Sequence, residues 1–136
     1  MSGVSVRVRV AGEHYALPVE QVLEVADLGE IAPVPGSPPE IVGVGNLRGQ
    51  VTPVIDLART LGLEGGEPSR FVVAESGEMR AGLLVDEVLD VDELPPASEQ
   101  VESDYLLGAC LVDGTLVATL DVDAVLRSIV TRRALP

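Results

Sequence analysis

The chain of 136 residues has no lysine and no tryptophan, and only one cysteine, one histidine, one asparagine and one phenylalanine. Each scarcity removes a class of function. Its basic residues are all arginine, nine against 22 acidic residues, and only Arg132 and Arg133 adjoin. A formal charge of −13 with no basic cluster argues against nucleic acid, whose backbone is held by grouped cations. The acidity favours solubility and biases binding towards basic or apolar partner surfaces. Lacking lysine, the chain has no serine–lysine pair, and it has no Gly-x-Ser-x-Gly nucleophile elbow either. Cys110 stands alone, so no intrachain disulfide can form, and its neighbours Ala109 and Leu111 point to a buried structural thiol. No apolar run approaches the ~20 residues needed to span a bilayer. The polar start, which then alternates valine with arginine, does not read as a signal peptide. A cytoplasmic protein with no direct membrane contact is expected.

What is abundant is valine, in a chain that is 46% hydrophobic but only 2% aromatic. The core must therefore be aliphatic, and the valine bias favours strands. Val4 to Val10 alternates with period two, the mark of a strand with one buried face. After a turn at Ala11–Glu13, His14 to Leu17 returns as its hairpin partner, and Val19 to Val22 fits one helical turn. Val22 to Ile31 reads as a further strand with a bulge or turn at Gly29. The proline-rich loop Pro33–Pro39 cannot pair as central sheet. Hairpins follow at Ile41–Leu47 with Gln50–Ile55, at Arg70–Glu75 with Met79–Val85, and at Tyr105–Val112 with Leu116–Leu120. The last turns about Asp113-Gly114, a strong hairpin signal. Asp56 and Asp121 each stand where a helix N-cap is wanted, before a short helix to Leu61 and a C-terminal helix over about 121–130. Val88 to Leu94 forms one more strand. Strands this short and this closely spaced exclude βαβ crossovers and predict an all-β barrel architecture with minor helices. An internal echo appears too: strand, turn, strand, Val54-Ile55-Asp56-Leu57 and helix recurs as strand, turn, strand, Thr119-Leu120-Asp121-Val122 and helix.

The most informative stretch is Gly43 to Leu57. Its turn holds the sole asparagine, Asn46, beside Leu47, Arg48 and Gly49, and nothing in it supplies a nucleophile, a base or a metal ligand. The glycine spacing superficially matches a phosphate-binding loop, but a strand rather than a helix follows, so the glycines read as steric relief at a tight corner. Arg48 at a hairpin tip has two plausible fates, a salt bridge, with Glu24 as candidate partner, or a contact to another protein. His14 has no second histidine near it. Asp90 with Asp92, and Asp121 with Asp123, lack any calcium-loop pattern and read as a solvated strand face and a helix cap. No catalytic residue, metal or cofactor is implied.

Tyr15-Ala16-Leu17-Pro18, Val22-Leu23-Glu24-Val25, the Pro33–Pro39 loop, Ile41-Val42-Gly43, Asn46-Leu47-Arg48-Gly49, Pro53-Val54-Ile55-Asp56-Leu57, Gly82–Val85 with Asp86 and Val88, Tyr105-Leu106-Leu107-Gly108 and Leu120-Asp121 occur in this order. As an ordered set over residues 4–130 they resemble the CheW family of bacterial chemotaxis coupling proteins. The resemblance implies one domain of two intertwined SH3-like five-stranded β-barrel subdomains sharing a hydrophobic core. It implies a non-enzymatic adaptor between the cytoplasmic tips of methyl-accepting chemoreceptors and the regulatory domain of a CheA-type histidine kinase. Such a protein is membrane-associated only through receptor arrays. In the family, receptor contact uses the groove between subdomains and kinase contact uses exposed barrel faces. Carried over by motif, Val22, Glu24, Gly43, Asn46 and Arg48 are the positions expected to contact a partner or support that contact.

One segment departs from the family pattern. Pro95 to Asp104 is compressed and acidic, so a contact surface or strand of the second barrel is expected to be altered. That leaves room for a specialised paralogue that binds receptor but not kinase. The competing class, a small enzyme or ligand-binding barrel, would need a deep polar pocket gathering His14 and two carboxylates.

Overall fold

A computed structural model describes residues 3–47 and 49–134, with residues 130–134 described by backbone alone. Period-two valines become β1 (Val4–Val10), which turns tightly at Ala11-Gly12 into β2 (Glu13–Pro18). A single 3-10 turn, Val19–Gln21, leads to β3 (Val22–Asp27). Then come β4 (Ile41–Leu47), β5 (Gln50–Asp56) and the short helix α1 (Leu57–Thr60). The next three strands are β6 (Arg70–Ser76), β7 (Met79–Val85) and β8 (Glu87–Glu93). The described chain closes with β9 (Leu106–Val112), β10 (Thr115–Leu120) and α2 (Val122–Ala134). Positive φ at both Asp113 (49°) and Gly114 (81°) gives the β9–β10 turn the right-handed twist of its strands.

The two sheets are five-stranded, ordered β8-β1-β2-β10-β9 and β3-β6-β7-β5-β4. They have one plan. In each, a hairpin (β1–β2 or β6–β7) is extended by a parallel strand, β10 beside β2 and β5 beside β7. That parallel strand is the second arm of the β9–β10 or β4–β5 hairpin. The internal echo of the sequence is thus a repeat of topology. After β2 the chain leaves the second barrel to build the first, residues 22–85, and returns with β8 to finish the second. The helix caps repeat as well: the Asp56 carboxylate accepts the Arg59 N–H (3.3 Å) and the Asp121 carboxylate accepts the Ala124 N–H (3.1 Å).

Each sheet curls until the segment after one edge strand meets the opposite edge. Ala32, beyond β3, bridges Val44 of β4, and Glu99, beyond β8, bridges Ala109 of β9. This explains why β3 ends at Asp27 and not at Ile31: the chain must leave β6 and cross to β4. Glycine permits the approach. A Cβ on Gly43 would overlap the Ala32 carbonyl oxygen, and one on Gly108 would lie 3.0 Å from the Ala97 side chain. Three sequence expectations need correction. The second barrel keeps all five strands despite the compressed 95–104 segment. The C-terminal helix, held on the core by Val125, Leu126 and Ile129, runs to Ala134, beyond 130. Asp92 shares a face of β8 with exposed Asp90, as expected, but is not wholly solvated: its side chain is 38% exposed and lies 3.8 Å from Arg7.

Three apolar clusters fill the molecule. The largest lies between the barrels and joins Val6, Val8 and Leu17 of one sheet to Val72, Leu83 and Val85 of the other, with α1 and α2 closing it. The first barrel's own interior holds Leu47, Val54, Phe71, Val73 and Leu84. The second barrel's interior holds Ala16, Cys110 and Val117. Although α2 follows a strand of the second barrel, it packs on β6 and β7 of the first. Its first turn is pinned there by Asp123, which accepts a hydrogen bond from Ser76 Oγ (2.8 Å) and another from Arg127 Nε (2.6 Å).

Two predictions follow from this architecture. Gly43→Ala should destabilise the chain by about 1–3 kcal/mol in urea unfolding, the usual cost of forcing atoms into a packed site. Gly29→Ala, where an added Cβ meets nothing within 4 Å, should stay within about 0.5 kcal/mol. Equal stability of the two variants would show that closure at Ala32 is not the constraint. Separately, the hydrogen bonds from Arg127 and Ser76 hold the Asp123 carboxyl below its ordinary pKa. A depressed carboxylate stabilises above its unfolded value and loses that contribution as pH falls through the folded one. The stability difference between the parent and Asp123→Asn should therefore be present at neutral pH and shrink below about pH 4. A difference independent of pH would remove the carboxylate from the account.

Candidate functional site

Strand alternation on β4 turns Gly43, Gly45 and Leu47 into the barrel and leaves Val42 and Asn46 exposed, with Val44 half-buried, while Ile41, before the irregular step, is buried in the core between the barrels. Leu47 seats against Gly82 on β7, where even a methyl group would come within 2.8 Å of its Cδ1. Across the hairpin Asn46 pairs with Val51, which is 77% exposed, and Val44 pairs with Pro53. The outward face of β4–β5 is thus an apolar stripe, Val42, Val44, Val51 and Pro53, carrying the one asparagine. This outward apolar stripe makes the hairpin a candidate docking surface.

The five positions singled out in the sequence do not form one cluster. Glu24, half-buried on β3, and Asn46 line the same shallow hollow of about 250 Å³, whose floor includes Leu47 and Phe71. Asp27 and Glu30 add acidity to its rim, although Asp27 is paired with Arg70 across β3–β6 at 2.8 Å. Val22 lies at the far end of β3, half-buried, and packs on the core between the barrels. Gly43 is buried at the barrel seam, so it acts through shape and cannot itself present a contact. Arg48 lies outside the described residues, and so does its suggested bridge to Glu24.

The structure adds a surface the sequence reading missed. On the second barrel Leu107, Leu111 and Leu116 are 65%, 54% and 50% exposed, and Leu111 faces Leu116 across the β9–β10 hairpin. Register makes this the counterpart of the first patch. Leu111 with Leu116 stands on β9–β10 where Asn46 with Val51 stands on β4–β5, each pair flanking the hairpin turn. Leu107 and Val42 each occupy the irregular step of their ladder, beside Gly108 and Gly43. The signal available in sequence was the internal echo, read residue by residue across the two hairpins. Hydropathy could not supply it, because Leu106 to Val112 is apolar throughout and shows no exposed side.

Among the described residues no three His, Cys, Asp or Glu side chains gather to hold a metal ion. His14 sits half-buried on β2 opposite Arg9 of β1 and Val117 of β10, with no carboxylate hydrogen-bonded to it among the described residues. Cys110 is buried at 3% exposure, as its neighbours implied.

Known proteins share this chain's sequence pattern and fold. The family model described as CheW-like domain matches residues 5–130. The chain is 34% identical to the Chemotaxis protein CheW of Bacillus subtilis over 138 aligned positions, covering 93% of this chain and 88% of that protein. Protein FrzA of Myxococcus xanthus is also 34% identical, over 78% of this chain and 72% of its own length. Among solved structures, the scaffolding protein TtCheW from Thermoanaerobacter tengcongensis superposes with a TM-score of 0.79 at 29% identity, over 90% of this chain and 86% of that one. In sequence and in its paired five-stranded barrels alike, this chain belongs to the CheW-like domain family.

Proposed function

We propose that this protein is a non-enzymatic adaptor that couples the cytoplasmic tips of chemoreceptors to the regulatory domain of a CheA-type histidine kinase. The observation that carries this reading is the pair of equivalent outward patches, Val42, Asn46 and Val51 on one barrel and Leu107, Leu111 and Leu116 on the other. A bridging protein needs two docking surfaces held in fixed relation, and the core between the barrels supplies that relation. Within this proposal Glu24, Asn46 and Arg48 make contact at the first barrel. Val22 and Gly43 hold the surface in shape from behind. Coupling is by binding alone: the adaptor keeps the kinase beside the receptor tip, and a receptor change alters kinase activity through differential contacts. No helix among the described residues is long and apolar enough to cross a membrane. As part of this proposal the adaptor works in the cytoplasm and meets the membrane only through receptor arrays.

Separate pull-downs with a receptor tip and with a kinase regulatory domain test the proposal. Both should be retained, and retention of neither would defeat it. Retention of the receptor alone would identify a paralogue specialised away from the kinase. Leu111→Glu combined with Leu116→Glu should weaken one of the two interactions by about tenfold or more, as loss of central apolar contacts does. Arg48→Glu should weaken binding while unfolding stability stays within about 0.5 kcal/mol. A large loss of stability in Arg48→Glu would make that arginine structural.

A further inference from the structure

The two barrels have the same plan but not the same filling. β6 runs between β7 and β3 as β1 runs between β2 and β8, so their residues correspond by register. Phe71, between Leu84 and Ala26, corresponds to Ser5, between Pro18 and Asp92. Val73, between Gly82 and Glu24, corresponds to Arg7, between Ala16 and Asp90. The two side chains that fill the first barrel are thus replaced by a hydroxyl and a guanidinium. Arg7 is only 15% exposed, its Nε has no hydrogen-bond partner among the described residues, and it meets Asp92 at a loose 3.8 Å. Asp92 Oδ1 and His14 Nδ1 are likewise buried without hydrogen bonds there. The Asp92 side chain as a whole is 38% exposed, so Arg7 is the charge most fully withdrawn from water, and a poorly paired buried charge opposes closure because opening returns it to solvent.

The apolar filling behind the seam of this barrel is also smaller. Beyond β8 the chain runs through Pro95 and Pro96 and meets β9 at one bridge, Glu99 to Ala109, just as the first barrel closes at Ala32 and Val44, so backbone pairing does not separate the two seams. Ala109 is buried in the core between the barrels, with Val88, Val101, Tyr105 and Leu106 partly buried against it, but into the second barrel's own interior this seam sends only Cys110, with Leu94 and Val112 partly buried beside it. The matching seam of the first barrel sends Leu23, Ala26, Ile31 and Leu47 into an interior built around Phe71. We propose that the second barrel opens locally along β8, the 94–105 segment and β9 under native conditions, while the first barrel and the core between the barrels stay folded. Segments with few buried apolar contacts open at a fraction of the global free energy. Leu107 and Leu111 ride on the opening edge, so occupation of that patch would favour the closed form, a consequence that alone rests on the adaptor reading.

Cys110, the only cysteine, lies inside this barrel and reports its opening. Native-state labelling of the free chain with an excess of a disulfide reagent should proceed about tenfold or more faster than global unfolding allows, with a weak dependence on urea. Amide exchange on the same unmutated chain should show β8 and β9 exchanging ahead of β6 and β7. Replacing the charges together, as Arg7→Met with Asp92→Leu, should slow the labelling several-fold. Labelling and exchange of β8 and β9 only at the global rate, with full urea dependence, would overturn the proposal. An unchanged labelling rate in the double variant would overturn its assignment to the charged interior. All three readings use the chain alone, so they stand apart from any result with receptor or kinase.

Discussion

The inward faces of two hairpins, β1–β2 and β6–β7, meet across one apolar layer, and every other part of the molecule is placed relative to that layer. Val6, Val8 and Leu17 face Val72, Leu83 and Val85 across it. Burial at roughly 25 cal/mol per Å² of apolar surface makes this contact the dominant stabilising term, and it needs no aromatic ring to do so. Because a strand alternates its side chains, committing one face of each hairpin to the layer leaves the opposite face to line a barrel. The strand exchange makes the arrangement hard to take apart. The second barrel is built from both ends of the described chain, and the first occupies the middle.

The layer also positions the surfaces through which the protein is proposed to act. The β4–β5 and β9–β10 hairpins attach to the central hairpins by parallel pairing, and each leaves an outward apolar face near its turn. Glycine at Gly43 and Gly108 lets the closing segments reach these hairpins, so a buried, contactless residue such as Gly43 can still matter to docking. The barrels differ in what they enclose. A bulky apolar plug centred on Phe71 braces the surface of the first, whereas Ser5, Arg7 and Cys110 lie behind the second. Two similar surfaces thus rest on supports of unequal strength, which is a physical basis for one fixed and one adaptable contact.

Much of the strand plan was legible because its signals are local. Period-two valines located β1, Asp113-Gly114 located the last hairpin, and Asp56 and Asp121 marked both helix starts. The internal echo carried the repeat of topology. Less legible was anything that depends on which residues meet across the molecule. The end of β3 was misplaced because barrel closure, not strand propensity, bends the chain after Asp27. Asp92 passed for a solvated carboxylate because nothing in its neighbourhood reveals that Arg7 lies across the ladder. The short 95–104 segment looked like the loss of a strand, yet one bridge at Glu99 suffices to close the sheet.

The candidate site divides in the same way. By itself the amino-acid sequence determined the class of fold, the lack of lysine, of a nucleophile-elbow motif, of a basic cluster and of a second histidine, and the ordered motifs that mark the family. These follow from composition, turn chemistry and alternation, which act within a few residues. Only the tertiary structure decided that Glu24 and Asn46 share a hollow, that Val22 and Gly43 are supports, and that Leu107, Leu111 and Leu116 form a second outward patch. Exposure of an apolar residue depends on whether another element covers it. In a chain where nearly every strand is rich in valine and leucine, only the packing of one sheet on the other makes that choice.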